Sequence, residues 1–324
     1  MRSTLLRHGS FSLHDVNGII SNMNRRDFLR GICLGSFGLL SACAFSSAFG
    51  EVESKLEAFK GNEIFDRILK KATAEEWAKL PIGQCMGKIA KEFEGTPYVG
   101  FTLELSKDQE VCAVNLVGLD CVTFFEDTLD FARMLKHGGT TPDDLLKEVT
   151  FTRYRDGKLG DFTSRLHYTT DWFVNNEKKK VVELLAPKLP GAQPFTQKVG
   201  IMSQKPKNYR QLVAHPEFIP KIKEYEDQIN ARSLEYLPMD KIAAAESLMQ
   251  TGDIVGVCEN EPGIDIGHTG LIYRTEDGVA HFMDASSLRR NMKVTIDPEI
   301  SKALDWSRKL TGIMLARPLE PQPL

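Results

Sequence analysis

Cysteine is scarce in this sequence, charge is balanced, and no long apolar run occurs. Six cysteines in 324 residues are too few for a small disulfide scaffold. None lie in a CxxC spacing that would mark a zinc or redox site. There is no basic excess: 41 Lys+Arg face 44 Asp+Glu, a formal net charge of −3. Nothing would therefore neutralise a row of phosphates, so nucleic acid is not an expected partner. The histidines are scattered, and no HExxH or similar spacing offers the ligand set of a zinc hydrolase. No internal repeat is present, which excludes a solenoid or a tandem wall-binding array. What remains, 42% hydrophobic and 26% charged, is a globular composition. Its length suits one large domain or two small ones.

The N-terminal region reads as an address. Residues 24–43 are NRRDFLRGICLGSFGLLSAC, in which basic residues precede the short uncharged stretch Gly31–Ala42. Twelve residues do not span a bilayer as a helix, which takes about twenty. A basic segment before a short apolar one is an export signal. Arg25-Arg26-x-Phe28-Leu29 resembles a twin-arginine signal, and general secretion fits the same segment. Leu40-Ser41-Ala42-Cys43 resembles a lipobox, in which Cys43 carries the lipid; a plain signal peptide is the alternative. Met23 is a second candidate start. The expected organisation is an export signal over 1–43, a tether over 44–60 and one globular domain over 61–320. The working compartment is then the periplasm or cell envelope, with a membrane contact through Cys43.

Helices come first along the chain and antiparallel strands second, an α+β order. Residues 62–94 read as helical, with Ile64, Ile68 and Leu69 and then Cys85, Ile89 and Phe93 at helical spacing. Gly95-Thr96-Pro97 breaks that run. Val111–Leu116 is a short strand candidate, followed by a turn to Cys121. The run from Cys121 to Gly139 is a helix with Val122, Phe125, Leu129 and Ala132 on one face. Shorter helices follow over 142–190, loops over 191–215 and a charged helix over 216–232. Asp253–Cys258, His268–Arg274, Val279–Asp284, Met292–Ile296 and Gly312–Arg317 read as strands, with turns at Glu261-Pro262-Gly263 and Asp277-Gly278.

The chemistry gathers at Cys121. A cysteine on the first turn of a helix meets partial positive charge, which favours the thiolate, and unpaired N–H groups that can receive an oxyanion. Gly267-His268-Thr269-Gly270 opens a strand, so His268 can face a helix N-terminus across a cleft and take the thiol proton. The turn at Asp277-Gly278 folds the next strand back and brings Asp284 near His268, where a carboxylate orients and supports the imidazolium. His281 is the rival for that third role; strand alternation puts 281 and 284 on opposite faces. Cys85, Cys112 and Cys258 carry no such context, and a disulfide among them stays open.

Gly95-Thr96-Pro97-Tyr98, Asn115-Leu116-x-x-Leu119-Asp120-Cys121-Val122-Thr123-Phe124-x-Glu126, Arg165-x-His167-Tyr168-x-x-Asp171-Trp172, Gly267-His268-Thr269-Gly270 and Asp284-Ala285-Ser286-Ser287 together resemble the DUF1460 branch of the NlpC/P60 cysteine amidases. The resemblance covers about residues 62–320. It implies a papain-like α+β fold and an N-acetylmuramoyl-L-alanine amidase acting on peptidoglycan fragments, with 1,6-anhydro-muropeptides as the expected substrates. It assigns Cys121 as nucleophile, His268 as base, Asp284 as third residue and Tyr98 as a hydroxyl beside the nucleophile. In NlpC/P60 relatives the third position is often histidine. Asp120, Arg165, His167, Tyr168 and Trp172 are assigned to substrate, because an arginine grips a stem carboxylate and an aromatic face suits a sugar ring. The competing reading of that cluster is a helix start with Trp172 buried and Arg165 in an ion pair. Lys178-Lys179-Lys180 reads as a solvated helix end. No cofactor or metal is expected. The rival activities are a D-γ-glutamyl-diamino acid endopeptidase and, in another class, a non-catalytic wall-binding lipoprotein.

Overall fold

The computed structural model describes residues 57–322. The expected export signal, Cys43 and most of the expected tether lie outside the described residues.

Two helices open the fold: α1 (Asn62–Ala74) and α2 (Ile82–Glu92). Next come α3 (Cys121–Lys136), α4 (Pro142–Arg153) and α5 (Thr169–Lys178). Three further helices, α6 (Ile201–Gln204), α7 (Arg210–Ala214) and α8 (Ile219–Asn230), precede the main run of strands. In chain order the strands are β1 (Phe59–Lys60), β2 (Val114–Asn115), β3 (Val182–Leu184), β4 (Gln193–Phe195), β5 (Leu234–Pro238), β6 (Ile254–Glu259), β7 (Ile266–Arg274), β8 (Ala280–Ser286), β9 (Lys293–Glu299) and β10 (Leu310–Pro318). Among the described residues, eight strands form one sheet in the order β4-β5-β10-β6-β7-β8-β9, with β3 also on β10. Every pairing in it is antiparallel. The fold is α+β.

Period-2 alternation explains how this sheet is covered on both faces. Ile254 and Cys258 of β6, Leu271 of β7, Met283 of β8 and Met314 of β10 pack with Phe124, Phe125, Leu129 and Phe131 of α3. Their neighbours Val255, Val257, Ile272, Phe282, Ile313 and Leu315 join Ile242, Ile300 and Leu304 on the other side. Each such side chain removed from water contributes roughly 1.5–3 kcal/mol. The stretch between α4 and β5 brings a third small core of Phe162, Tyr168, Met202, Leu212, Ile222 and Ile229. It is fastened to the loop before β7: Thr170 N–H donates to Asp265 Oδ2 at 2.8 Å, and Gly200 N–H to the Gly263 carbonyl at 3.1 Å.

The expected tether ends earlier than residue 60. Phe59-Lys60 pairs in parallel with Val114-Asn115, the two residues that form a strand within the stretch expected over 111–116. The hairpin between β7 and β8 turns at Asp277-Gly278, as the sequence predicts. Gly278 takes a φ of +82° there, a conformation that costs glycine nothing.

Candidate active site

The helix start at Cys121 is built by its flanking residues. Asp120 is the N-cap of α3, and its Oδ1 accepts from the N–H groups of Val122 (3.0 Å) and Thr123 (2.8 Å). Thr123 Oγ1 accepts from Asp120 N–H at 2.9 Å, completing a capping box. Asp120 is thus occupied with the helix, which differs from the substrate-binding role expected for it. The amides at 122 and 123 are taken as well. Cys121 N–H is left without an acceptor among the described residues, so it is the amide available to an oxyanion. The Cys121 side chain is partly exposed, whereas Cys85, Cys112 and Cys258 are buried; all four are free thiols.

A β-bulge falls where β7 passes Val257 and Cys258 of β6, and His268 follows it. His268 Nε2 donates to Asp284 Oδ2 at 2.6 Å. With Nε2 committed there, Nδ1 is the nitrogen left for Cys121, whose backbone carbonyl accepts a 2.8 Å hydrogen bond from Oγ1 of the adjacent Thr269. Burial alone would lower the imidazole pKa. The Cys121 sulfur and the Asp284 carboxylate outweigh burial and raise it to about 10. Asp284 is 2% exposed, and its Oδ1 has no hydrogen-bond partner. His281 takes a different partner, donating from Nδ1 to the Asp297 carbonyl at 2.9 Å. The His268 ring lies edge-to-face with Phe282 (6.1 Å between centroids) and with Trp306 (5.6 Å).

Tyr98 reaches this group through its backbone. Residues 95–98 run antiparallel beside the start of β9: Gly95 N–H donates to the Val294 carbonyl and Tyr98 N–H to that of Met292, both at 2.9 Å. On the other side Val99 N–H donates to the Leu119 carbonyl at 3.0 Å. The segment therefore bridges the sheet edge and the residues leading to Cys121. Burial, with Cys121 and Asp120 nearby, raises the Tyr98 phenol well above its ordinary range, so it is a donor.

The second cluster is not open to a ligand. Trp172 is 2% exposed, lies edge-to-face on Phe125 at 5.0 Å and donates from Nε1 to Glu126 at 2.7 Å. Arg165 is buried against Glu110, 3.1 Å away. Tyr168 donates to Glu226 at 2.7 Å. His167 donates from Nε2 to the Phe162 carbonyl at 2.7 Å, and burial drives its pKa well below the ordinary value. Arg165, Tyr168 and Trp172 are buried and His167 is half-buried, and each is already partnered within the fold. Lys179 also departs from the solvated reading. Its ammonium caps α4, donating to the carbonyls of Phe151, Thr152 and Tyr154, and burial lowers its pKa to about 8.

Sequence reasoning missed Trp306 and Asp297. Asp297 is close enough to Asp284 and His268 to feel both charges; burial and Asp284 raise its pKa. No spacing signal marks either residue, because both reach the site from beyond β8. Among the described residues, no group of three or more His, Cys, Asp or Glu side chains is placed to hold a metal ion. No helix of the described residues is long and apolar enough to cross a membrane.

Three comparisons bear on this arrangement. A family model described as AmiA-like, N-acetylmuramoyl-L-alanine amidase-like, matches residues 88–308. A search of curated proteins found no match. Among solved structures, an N-acetylmuramoyl-L-alanine amidase from Bacteroides uniformis is similar, with a TM-score of 0.67 and 29% identity, covering 73% of this chain and 98% of that one. A protein from Bacteroides fragilis described as a putative xylanase has a TM-score of 0.63 and 31% identity, covering 70% of this chain and 98% of that one. A DUF1460 protein from Legionella pneumophila shares the fold at 18% identity, with a TM-score of 0.60 and coverage of 81% and 97%. The resemblance carried by the five sequence blocks and the model match over residues 88–308 agree, and this chain belongs to the AmiA-like family of N-acetylmuramoyl-L-alanine amidase-like proteins.

Proposed function

We propose that the protein hydrolyses the amide between the lactyl group of N-acetylmuramic acid and L-alanine in small peptidoglycan fragments, with Cys121 as nucleophile. Family membership supports a peptidoglycan amidase. The observation that carries the cysteine mechanism is the line Cys121–His268–Asp284, in which the 2.6 Å bond to Asp284 fixes the imidazole beside the thiol. A protonated His268 and a Cys121 thiolate form the resting pair.

The thiolate adds to the lactyl carbonyl carbon. Cys121 N–H and the Tyr98 hydroxyl receive the oxyanion. His268 gives its proton to the departing alanine nitrogen as the C–N bond breaks, leaving a thioester. His268 then takes a proton from water; the hydroxide displaces Cys121, and the acid of the sugar half is released. Asp284 keeps the imidazole in one orientation throughout.

The expected substrate is a soluble 1,6-anhydro-muropeptide, in line with the sequence resemblance. The substantial insert between α4 and β5, tied at Gly263 and Asp265 to the loop that leads into the strand carrying His268, favours a walled cleft over an open one. Export to the envelope and lipid attachment at Cys43 complete the reading. Mass spectrometry of the products from a defined anhydro-muramyl tripeptide tests it. The expected products are a tripeptide with a free alanine amine and the anhydro-sugar acid. Cleavage behind D-glutamate instead would make the protein an endopeptidase.

A further inference from the structure

We propose that Phe101, on the loop that leaves Tyr98, is the platform on which the sugar half of the substrate rests. This rests on the functional reading above and deepens it. Among the described residues seven large apolar side chains are exposed; two of them, Val99 and Met292, stand in the backbone ladder around Tyr98, and two more, Phe101 and Val117, lie two residues along the chain from the bonded pair Val99 and Leu119. The ladder fixes their neighbourhood. Tyr98 is bonded to Met292, Val99 is bonded to Leu119, and a Cβ on Gly118 would meet the Val99 side chain at 2.5 Å. An apolar rim thus lies along the segment that carries the oxyanion hydroxyl, and Leu119 leads to Cys121.

Within that rim Phe101 is distinctive. It is 79% exposed and sits at φ +64°. A bulky side chain in the left-handed region is strained, and such strain persists where the surroundings impose it. The turn is closed by Glu104 N–H on the Phe101 carbonyl at 3.2 Å. The conformation holds an uncharged aromatic ring in solvent, where it does nothing for the core. The stem peptide is charged and has little use for such a surface; the sugar presents C–H faces that suit an aromatic ring. Trp172, the aromatic residue favoured by the sequence pattern, is buried and cannot take this part.

The test measures binding in a Cys121→Ala background, so that no bond is cut during titration. The probes are anhydro-muramyl tripeptide and the same tripeptide acylated with D-lactate alone, which lacks the sugar. Phe101→Ala is expected to weaken the muramyl probe about tenfold and leave the lactyl probe unchanged. Phe101→Trp should restore affinity. Because Phe101 is exposed, thermal melting should be unaltered and folding is not confounded. Equal loss on both probes, or no loss on either, overturns the proposal. The outcome is independent of which amide is cut, so an endopeptidase product profile would refute the amidase reading and leave the sugar platform standing. Weakened binding to plain lipid vesicles, with sugar affinity intact, would assign the rim to a membrane surface and overturn it.

Discussion

Thr269 Oγ1 donates a 2.8 Å hydrogen bond to the carbonyl oxygen of Cys121. The residue after the histidine thereby fixes the first turn of the helix that carries the thiol. Thr269 is buried, so the bond is shielded from water. Thr269→Val keeps the shape and removes the donor. We expect a stability loss of about 1 kcal/mol and a fall in kcat with KM little changed, because the nucleophile and base lose their shared register. Chemical denaturation alongside steady-state kinetics checks this; an unaltered kcat would show that the bond is structural only.

Asp120 should behave as a helix cap. Asp120→Ala should cost about 1–2 kcal/mol of stability, while Asp120→Asn, which keeps an acceptor, should retain most of it. If the carboxylate instead read substrate, both variants would raise KM and neither would lower the melting temperature.

The pH dependence follows from His268. Its folded-state pKa is raised from 6.5 to about 10. The protonated ring therefore contributes its full stabilisation below 6.5, and this is lost as pH rises through about 10. The alkaline limb of kcat/KM should accordingly lie well above that of a free imidazole. Asp284→Asn removes one of the charges that raise the pKa and should move that limb toward neutral pH. A limb that stays in place in Asp284→Asn would mean that Asp284 does not support the imidazolium.

Alkylation should single out one thiol among residues 57–322. Burial raises the Cys85 thiol to about 12, and it raises Cys112 and Cys258 too. Cys121 is partly exposed and faces an imidazole. Iodoacetamide at neutral pH should modify Cys121 first, with activity lost in step. Peptide mapping by mass spectrometry gives the order, and equal labelling of Cys85 would contradict the burial argument. Cys121→Ala should abolish turnover while the protein stays folded.

The core helix at Cys121 and the hairpin at Asp277-Gly278 were legible because their signals are local: an apolar stripe at helical spacing, a turn between two alternating runs. The Asp284 and His281 alternatives were likewise separable by strand period. The Arg165–Trp172 block was not, since its partners are distant. Tyr168 meets Glu226, 58 positions on, and Trp172 meets Glu126, 46 positions back. An arginine and a tryptophan look the same in sequence whether they wait for a ligand or are already satisfied inside. β3, β4 and β5 were also missed, because three to five residues give too short a pattern to separate from loop. Phe101 carried no signal, since backbone strain leaves no mark in the residue order.

The bond between Thr269 and Cys121 spans 148 positions, and this sets the order in which reactivity can arise. Helix α3 can begin to form from residues close in sequence, but β7 and β8, on which it packs, must close long loops before they dock. Until they do, Cys121 has a helix but neither base nor carboxylate, and remains an ordinary thiol. A chain still being made therefore lacks the assembled Cys121–His268–Asp284 group. The proposed site is complete only once these late strands arrive, a delay written into the topology.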